Sequence, residues 1–370
     1  MDPLLCLVLL PLVAGAGFRD DFTTWDPSDY QIEVSAWGGG NHEFQVFTPE
    51  PSNLFVRNGN LYIKPTFTRD SAHFNDGSLY YGTMDVNSLW HRCTQHDNNG
   101  CHKQSYGGDS EILPPVMSGK ITTNFAMTYG RVNVRAKIPK GDWLWPAIWM
   151  LPRDWSYGGW PRSGEIDIME SRGNTKAILG GQNSGVNYVA STLHWGPAYN
   201  HNAFAKTHAS KRKYGGDDWH GWHTYSLDWT ADHIITYVDN VEMMRINTPS
   251  QSFWGWGGFD GNNIWASGGK NAPFDKPFHL ILNVAVGGDY FGNGEYDVPK
   301  PWGNHNPMRS FWEARHSWEH TWQGDEVALL LFIRKPRTSL LAMRLRCTDQ
   351  RTLRHNTTCL RSLMLESIPG

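Results

Sequence analysis

The amino-acid sequence predicts an all-β fold built as a two-sheet antiparallel sandwich. Through residues 18–332, apolar and polar residues alternate in segments that Gly, Pro, Asn or Asp interrupts roughly every 8 to 15 positions. The 370-residue chain contains 38 Gly, 19 Trp, 14 Tyr and 16 Phe, a composition that favours short strands and tight turns over helices. Helical periodicity is scarce. A sheet with one apolar face must bury that face, and a second sheet is the simplest partner.

Four segments show the alternation clearly. Because successive side chains of a strand point to opposite faces, each segment is predicted to be a strand with one buried and one exposed face. In chain order they are NLYIKP (60–65), RVNVRAKI (131–138), WHTYSLDW (222–229) and HIITYVD (233–239), the last leading into an Asp-Asn turn.

Net charge limits the classes of partner. The chain has 33 Lys and Arg against 36 Asp and Glu, a formal net charge of −3, so it has no long-range field that would attract nucleic acid or anionic lipid. No segment offers the roughly 18 consecutive apolar residues of a membrane span. We therefore expect a neutral partner, neither nucleic acid nor membrane, and a monomeric protein.

The first residues are typical of a signal peptide. An apolar run from Leu4 to Val13 precedes Ala14-Gly15-Ala16, which fits the small-x-small pattern of signal peptidase sites, although Asp2 stands where Lys or Arg is usual. We interpret residues 1–16 as a signal peptide and expect a secreted, extracellular protein.

Secretion gives the cysteines a structural interpretation. With Cys6 removed, Cys93, Cys101, Cys347 and Cys359 remain, an even number in an oxidising compartment. The segment CTQHDNNGC is polar and contains an Asn-Asn-Gly turn. We predict a local disulfide between Cys93 and Cys101 that closes a surface loop.

Metal binding is not predicted. Neither cysteine pair has the CxxC spacing of zinc sites. His220 and His223 form an HxxH pair in DWHGWH, but the flanking Trp and Gly favour the start of a strand over a metal site. We expect no metal site and no required cofactor, and a structural calcium ion stays an open alternative.

The segment GEIDIMES (164–171) concentrates three carboxylates in a chain that is not otherwise acidic. On a regular strand Glu165 and Asp167 share one face, and Glu170 falls on the other. A β-bulge around Met169 would insert one extra residue and return Glu170 to the face of the other two acids. We therefore predict a bulged strand.

Three acids on one face repel one another, and this suggests catalysis. Crowding strongly raises the pKa of one carboxyl and leaves another normal or lowered. Retaining glycoside hydrolysis needs such a pair, with the two carboxyl groups about 5 to 5.5 Å apart. The alternatives are a solvated acidic strand face and a calcium site, although a strand interleaved with Ile is a poor calcium scaffold.

The segments around these acids carry a resemblance to a known family. WLWPAIWMLP (143–152) and GGWPRS (158–163) precede the acids, and STLHWG (191–196) follows them. Together they resemble the laminarinase branch of glycoside hydrolase family 16, which includes invertebrate β-1,3-glucan recognition proteins. The resemblance extends from about residue 18 to residue 328 through WGGGNHEFQVFTPE, GRVNVRAKIPKGDW, LNVAVGGDYFG and KPW.

This resemblance implies a curved β-jelly-roll, here residues 17–332, with a glycan cleft on its concave face. Glu165 matches the family's nucleophile, Asp167 the assisting carboxylate and Glu170 the general acid/base. A pyranose presents an apolar C–H face to Trp rings and a hydroxyl rim to polar side chains. By resemblance the sugar-contacting residues are Asn41, Arg135, Trp145, Trp149 and His194.

The last residues depart from the family pattern. Residues 333–370 contain no Phe, Trp or Tyr, and residues 334–361 hold eight Lys or Arg against the single acid Asp349. We interpret 333–370 as a divergent basic tail, with a sequon at Asn356 that predicts glycosylation. Leu329 to Ile333 either replaces the family's closing strand or belongs to a variant terminus.

Three functions follow as hypotheses. The first is a secreted, retaining endo-β-1,3-glucanase that acts on laminarin-like polysaccharide by double displacement. The second is a non-catalytic pattern-recognition protein of invertebrate innate immunity that binds β-1,3-glucan. The third and weakest is a lectin-like module displayed on polyanions through its basic tail.

Overall fold

Antiparallel strands form most of the regular structure, as the alternating segments predict. The computed structural model describes residues 20, 22, 23, 25–322, 324 and the backbone of 329–333, all within Met1–Pro336, the first of two units into which the chain divides. The predicted signal peptide, the tail beyond Ile333 and the sequon at Asn356 lie outside these residues.

Most strands are short. The strands are β1 (Tyr30–Ile32), β2 (Gln45–Phe47), β3 (Leu54–Arg57), β4 (Asn60–Ile63), β5 (Thr66–Phe67), β6 (Thr83–Asp85), β7 (His102–Gln104), β8 (Val116–Ser118), β9 (Lys120–Thr123), β10 (Gly130–Lys137), β11 (Leu144–Pro152), β12 (Glu165–Glu170), β13 (Ala177–Leu179), β14 (Gln182–Asn183), β15 (Tyr188–His194), β16 (His208–Arg212), β17 (Trp222–Trp229), β18 (His233–Val238), β19 (Val241–Asn247), β20 (Phe278–Val286), β21 (Glu295–Tyr296) and β22 (Leu329–Ile333).

Helices are short and lie between strands. The α-helices are α1 (Asp76–Tyr81), α2 (Val86–Trp90), α3 (Ser252–Gly257) and α4 (Pro307–Glu313), and single 3-10 turns span Pro27–Asp29, Thr68–Asp70, Asp97–Asn99, Tyr199–His201, Phe204–Lys206, Arg315–Ser317 and Glu319–Thr321. No helix in the described part of the chain has the length and apolar composition needed to cross a membrane.

Two seven-stranded sheets form the sandwich. The first sheet has the order β1-β9-β20-β11-β12-β15-β16, and the second has the order β19-β18-β17-β10-β22-β4-β3. All four strands predicted from alternation occur, as β4, β10, β17 and β18, and all four belong to the second sheet. The core between the sheets takes residues from both, such as Val134 and Leu227 from the second sheet and Ile148, Ile166 and Leu282 from the first.

The segment at the end of the β domain completes the second sheet. β22 pairs with β10 on one side and with β4 on the other, so it occupies an interior position. Without it, the backbone N–H and C=O groups of β10 and β4 would lack ladder partners. Of the two interpretations of residues 329–333, the structure therefore supports replacement of the closing strand.

The cysteine prediction is confirmed where the structure describes it. Cys93 and Cys101 form a disulfide with their Cα atoms 5.6 Å apart. The bridge closes a short loop after α2, and this loop contacts the segment between β1 and β2.

Candidate active site

A cleft of about 1310 Å³ crosses the outer face of the first sheet. Pockets for small ligands usually enclose about 300 to 1,000 Å³, so this cleft has room for an oligomer. Its floor is a row of directly paired residues, one from each strand of the sheet: Gln31, Thr122, Ile281, Trp149, Asp167, Thr192 and His208.

A β-bulge brings the three acids of β12 into this cleft. Between Asp167 and Glu170 the pairing of β12 shifts by one residue against both neighbouring strands, β11 and β15. The apolar residues of the bulge, Ile168 and Met169, are fully buried, whereas Glu165, Asp167 and Glu170 all line the cleft. The bulged strand predicted from GEIDIMES is confirmed.

Glu165 lies between an indole and an imidazole. Trp160 Nε1 donates a hydrogen bond to Glu165 Oε2 at 3.1 Å, and His194 Nε2 is 3.7 Å from Oε1. Burial, and secondly the charge of Asp167, raise the pKa of Glu165 to about 8. Sequence analysis assigned no role to Trp160, although its position five residues before the acid was a usable signal.

Asp167 and Glu170 are also buried acids. Asp167 is 3 % exposed. Its Oδ2 lies 3.2 Å from His194 Nε2 but makes no well-aligned hydrogen bond to a described residue. Glu170 accepts a hydrogen bond from Trp145 Nε1 at 3.0 Å. Burial raises the pKa of both carboxyls, and the charge of Glu170 raises that of Asp167 further.

These pKa shifts correct one sequence expectation. Crowding alone predicted that one carboxyl would have a raised pKa and another a normal or lowered one. In the structure the pKa values of all three acids are raised, because burial is the largest cause for each of them. Protons are therefore shared within the trio at neutral pH.

Hydrogen bonds define the orientation and the tautomer of the His194 ring. Asn202 Oδ1 accepts hydrogen bonds from the backbone N–H groups of Trp195 at 3.2 Å and Phe204 at 3.3 Å. The Asn202 amide nitrogen therefore faces His194 Nδ1, to which it donates at 2.8 Å. Since Nδ1 accepts, the ring proton is on Nε2, which lies 3.2 Å from Asp167 Oδ2. Sequence analysis missed Asn202, and nothing in its local sequence marks it.

Trp145 belongs to a stack that supports Glu170. The centroids of the Trp145 and Tyr290 rings are 4.2 Å apart, with 6° between the ring planes. The Arg172 guanidinium lies 3.8 Å from the centroid of the Tyr290 ring. This arrangement fixes the indole whose N–H binds Glu170. Tyr290 and Arg172 were not predicted as site residues.

Trp149 is fixed from two sides. Its Nε1 donates to Asn283 Oδ1 at 2.7 Å, and Lys120 Nζ lies 5.2 Å from the ring centroid. Lys120 is itself buried and pairs with Glu33 at 2.8 Å. Trp145 and Trp149 both line the cleft, as expected if they bind sugar.

Asn41 lies at the rim of the same cleft. Its amide donates to Glu43 Oε1 at 3.4 Å, and burial raises the pKa of the Glu43 carboxyl to about 7. His194 and Asn41 thus join Trp145 and Trp149 in the cleft, so the structure brings together four of the five residues expected to contact sugar.

Arg135 is the exception, and the prediction that it contacts sugar is wrong. It lies on β10 of the second sheet, and no described residue of that sheet lines the cleft. Its neighbours Val134 and Ala136 are buried in the core, so the alternation of the strand turns Arg135 to solvent. There its guanidinium covers the ring of Trp222 at 4.5 Å.

The two ends of the cleft differ in chemistry. Near β15 and β16 the wall is aromatic, with Trp160, Tyr199 and Phe204. Near β1 it is polar and comes from the disulfide-closed loop and the residue before it: Arg92, Thr94, Gln95 and Asp97.

Two groups of described residues have the geometry to hold a metal ion. Glu165, Asp167 and His194 form one, and Cys93, His96 and Cys101 form the other, whose two cysteines are joined in a disulfide. The HxxH histidines are in neither group. Instead His220 Nδ1 lies 2.8 Å from a backbone carbonyl, and His223 Nδ1 lies 2.6 Å from an Asp239 oxygen.

The site can perform acid–base and nucleophilic chemistry on a bound oligomer. Three carboxyls that share protons allow one to be protonated while another is ionised. The protonated group can act as an acid and the ionised one as a nucleophile or base.

Known proteins resemble this chain. The model of the family "Glycosyl hydrolases family 16" matches residues 83–257. A β-1,3-glucan-binding protein of Penaeus monodon is 44% identical over 323 residues, 84% of each chain. Glucan endo-1,3-beta-glucosidase A1 of Niallia circulans is 33% identical over 302 residues, which cover 76% of this chain and 35% of that enzyme. Among solved structures, the laminarinase from Rhodothermus marinus has 25% identity and a TM-score of 0.52, over 86% of this chain and 95% of that one.

Proposed function

Because this chain belongs to glycosyl hydrolase family 16, we propose that it is a retaining endo-β-1,3-glucanase that cleaves laminarin-like β-glucan by double displacement. The observation that carries the proposal is the bulge in β12, which presents Glu165, Asp167 and Glu170 together in an oligomer-sized cleft. The chemistry of the site, and the relatives' names, support β-1,3-glucan as the ligand.

The first step is attack by Glu165 on the anomeric carbon. Glu165 holds a proton at neutral pH in the unbound site, because its pKa is raised to about 8. It must be ionised to attack, so the reactive form is the one in which that proton lies on Asp167, the more deeply buried carboxyl. A protonated Asp167 donates a hydrogen bond to Glu165 and so helps it remain an anion. Glu170 gives its proton to the departing glycosidic oxygen, and a covalent glycosyl–Glu165 ester forms.

The second step is hydrolysis of that ester. Glu170, now ionised, takes a proton from water as the water oxygen attacks the anomeric carbon. The bond to Glu165 breaks, and the sugar leaves with its original configuration. The Trp145 N–H holds Glu170, and the Trp160 N–H holds Glu165, during both steps.

The alternative function is recognition of β-1,3-glucan without cleavage. The Penaeus monodon relative, named as a binding protein, favours it. Binding needs the aromatic and polar cleft but not three buried acids, whose desolvation destabilises the fold. The intact trio therefore supports the enzyme. We also propose that the protein is secreted into the extracellular space, where it would encounter such polysaccharides.

Reducing-sugar release from laminarin distinguishes the two functions. We expect release by the wild-type protein and a loss of roughly 100-fold or more in Glu165→Gln, whose amide cannot attack the anomeric carbon. Asp239→Asn, in the turn between β18 and β19 of the second sheet, is the matched control and should behave as wild type. No release by any protein, with retained pull-down on insoluble β-1,3-glucan, would establish the binding function instead.

A further inference from the structure

The disulfide-closed loop is docked against the segment that follows β1. Thr94 N–H donates to the backbone carbonyl of Val34 at 3.0 Å, and Ala36 N–H donates to that of Gly100 at 2.7 Å. The Cys93–Cys101 bridge joins the two ends of the same loop. Both the covalent link and these hydrogen bonds therefore hold the loop in place at one edge of the first sheet.

The loop also positions an aromatic residue of the cleft. A Cβ atom at Gly100 would lie 2.7 Å from Trp37 Cβ, so the backbone of the loop approaches this tryptophan more closely than any other residue type would allow. Asn98 donates to the Trp37 carbonyl at 3.2 Å, and Trp37 Nε1 donates to Glu33 at 2.8 Å. Trp37 is thus fixed where it lines the cleft.

Four polar side chains line the cleft beside Trp37. They supply a guanidinium, a hydroxyl, an amide and a carboxylate. The Thr94 hydroxyl bonds the Val34 backbone, and the other three groups can donate to and accept from the hydroxyl rim of a sugar. The disulfide and the hydrogen bonds to Val34 and Ala36 hold the loop backbone in place, so less conformational entropy is lost when a ligand binds. The four residues are Arg92, Thr94, Gln95 and Asp97.

This region is distant from the chemistry. The order β1-β9-β20-β11-β12 places four interstrand steps between the edge strand and the acids. At about 4.8 Å a step, measured along the sheet, the separation is roughly 19 Å. A sugar at the cleaved bond cannot touch Gln95 or Thr94, and only a longer chain that continues along the cleft reaches them.

We propose that the loop closed by Cys93 and Cys101 forms, with Trp37, a distal subsite for a long β-glucan chain and thereby sets the preference for chain length. This inference rests on the proposed glucan ligand, but not on catalysis. It assigns a function to a disulfide that otherwise only closes a surface loop.

Calorimetric titration with a short and a long β-1,3-gluco-oligosaccharide tests the subsite. All proteins carry Glu165→Gln, so that the ligands stay intact. Gln95→Ala should weaken binding of the long ligand by roughly threefold to tenfold, the equivalent of one or two hydrogen bonds, and leave the short ligand unchanged. Gln182→Ala, an exposed glutamine on β14 that lies outside the cleft, is the matched control.

A second variant tests the role of the disulfide. Cys93→Ser with Cys101→Ser should give the same selective loss for the long ligand, because the loop becomes less ordered while the acids stay in place. Thermal unfolding of this variant shows whether it folds, and if it does not, Gln95→Ala decides the question alone.

The outcomes separate the two proposals. Selective weakening of the long ligand supports the subsite. Equal affinities for the long ligand in Gln95→Ala and Gln182→Ala, or equal weakening of both ligands, would overturn the subsite and leave the glucan function intact. Absence of binding to either ligand by the protein with only Glu165→Gln would instead refute the glucan function.

Discussion

The two large sheets carry the same type of residue pair in different environments. On the first sheet His194 lies 3.2 Å from Asp167, whose side chain is 4 % exposed. On the second sheet His223 lies 2.6 Å from Asp239, whose side chain is 48 % exposed. In both pairs an imidazole nitrogen lies within 3.2 Å of a carboxylate oxygen, but the two carboxylates differ in their exposure to solvent. Burial, rather than the identity of the pair, therefore makes the first sheet a candidate for catalysis.

Cations over tryptophan rings show the same contrast. Lys120 lies over Trp149 in the cleft, is buried, and pairs with the half-buried Glu33. Arg135 lies over Trp222 on the second sheet and is exposed. A buried charged group loses hydration free energy and must be compensated by an ion pair or hydrogen bonds. An exposed ion pair or cation contact contributes little to the free energy of unfolding. The comparison predicts that substitutions on the first sheet change activity and that equivalent ones on the second do not.

The largest expected effect is on the general acid/base. Glu170→Gln removes the proton donor for the leaving oxygen and should reduce kcat/KM on laminarin by about 10²- to 10⁴-fold. An aryl β-glucoside with a good leaving group needs less protonation of that group. The rate of glycosyl–enzyme formation from such a substrate should therefore fall less in Glu170→Gln than the rate on laminarin. Asp239→Asn on the second sheet should retain wild-type kinetics, and an equal loss in both variants would contradict the contrast between the sheets.

The next effect is on stability. The pKa of Glu165 is raised to about 8 from an ordinary value of 4.5, so between these pH values the folded state binds more protons than the unfolded state. The free energy of unfolding therefore falls as pH rises through this window. Glu165→Gln should remove a part of that fall, on the order of a few kcal/mol.

Urea unfolding at pH 5 and at pH 8.5 measures this difference. The wild-type protein should lose more stability between the two pH values than Glu165→Gln does. Asp239→Asn provides the comparison from the second sheet, with a pH dependence like that of the wild type. Parallel curves for the wild type and Glu165→Gln would show that Glu165 is not desolvated in solution.

A smaller effect should follow from a change at the positioning residue Asn202. In Asn202→Asp one carboxylate oxygen keeps the two backbone N–H partners, and the other requires a proton on His194 Nδ1. The new carboxylate favours the doubly protonated imidazolium over the neutral ring, and that positive charge lowers the pKa of nearby carboxyls by about one unit or more.

The pH dependence of kcat/KM reports this change. Both limbs of the bell-shaped profile should move to lower pH by about one unit, since the nucleophile ionises and the acid loses its proton at lower pH. A general loosening of the loop would instead lower the rate without moving the profile. An unshifted profile would refute the role assigned to Asn202.

The smallest effect is expected at Arg135. Arg135→Gln removes an exposed cation from the face of Trp222 and should destabilise the protein by no more than about 1 kcal/mol. KM and kcat on laminarin should stay within about twofold of wild type, as for a surface substitution remote from the site. A clear increase in KM would show that glucan contacts the second sheet, and would contradict its assignment to solvent.

The features that the sequence alone determined are those that depend on residues close together in the chain. Period-two alternation predicted β10, β17 and β18, and the extra residue between the acids of β12 predicted the bulge, because side-chain direction along a strand depends only on neighbouring positions. The Asn-Asn-Gly turn likewise predicted the Cys93–Cys101 loop, since its ends are close along the chain.

Tertiary structure decided everything that depends on which sheet a strand joins. Arg135 and Trp149 both lie on alternating strands, yet only the strand order puts Trp149 at the cleft and Arg135 on the opposite side of the sandwich. Asn202 and the disulfide-closed loop reach the site through pairings between distant segments. The raised pKa values of all three acids have the same origin, because desolvation comes from packing around a residue and no local sequence pattern encodes it.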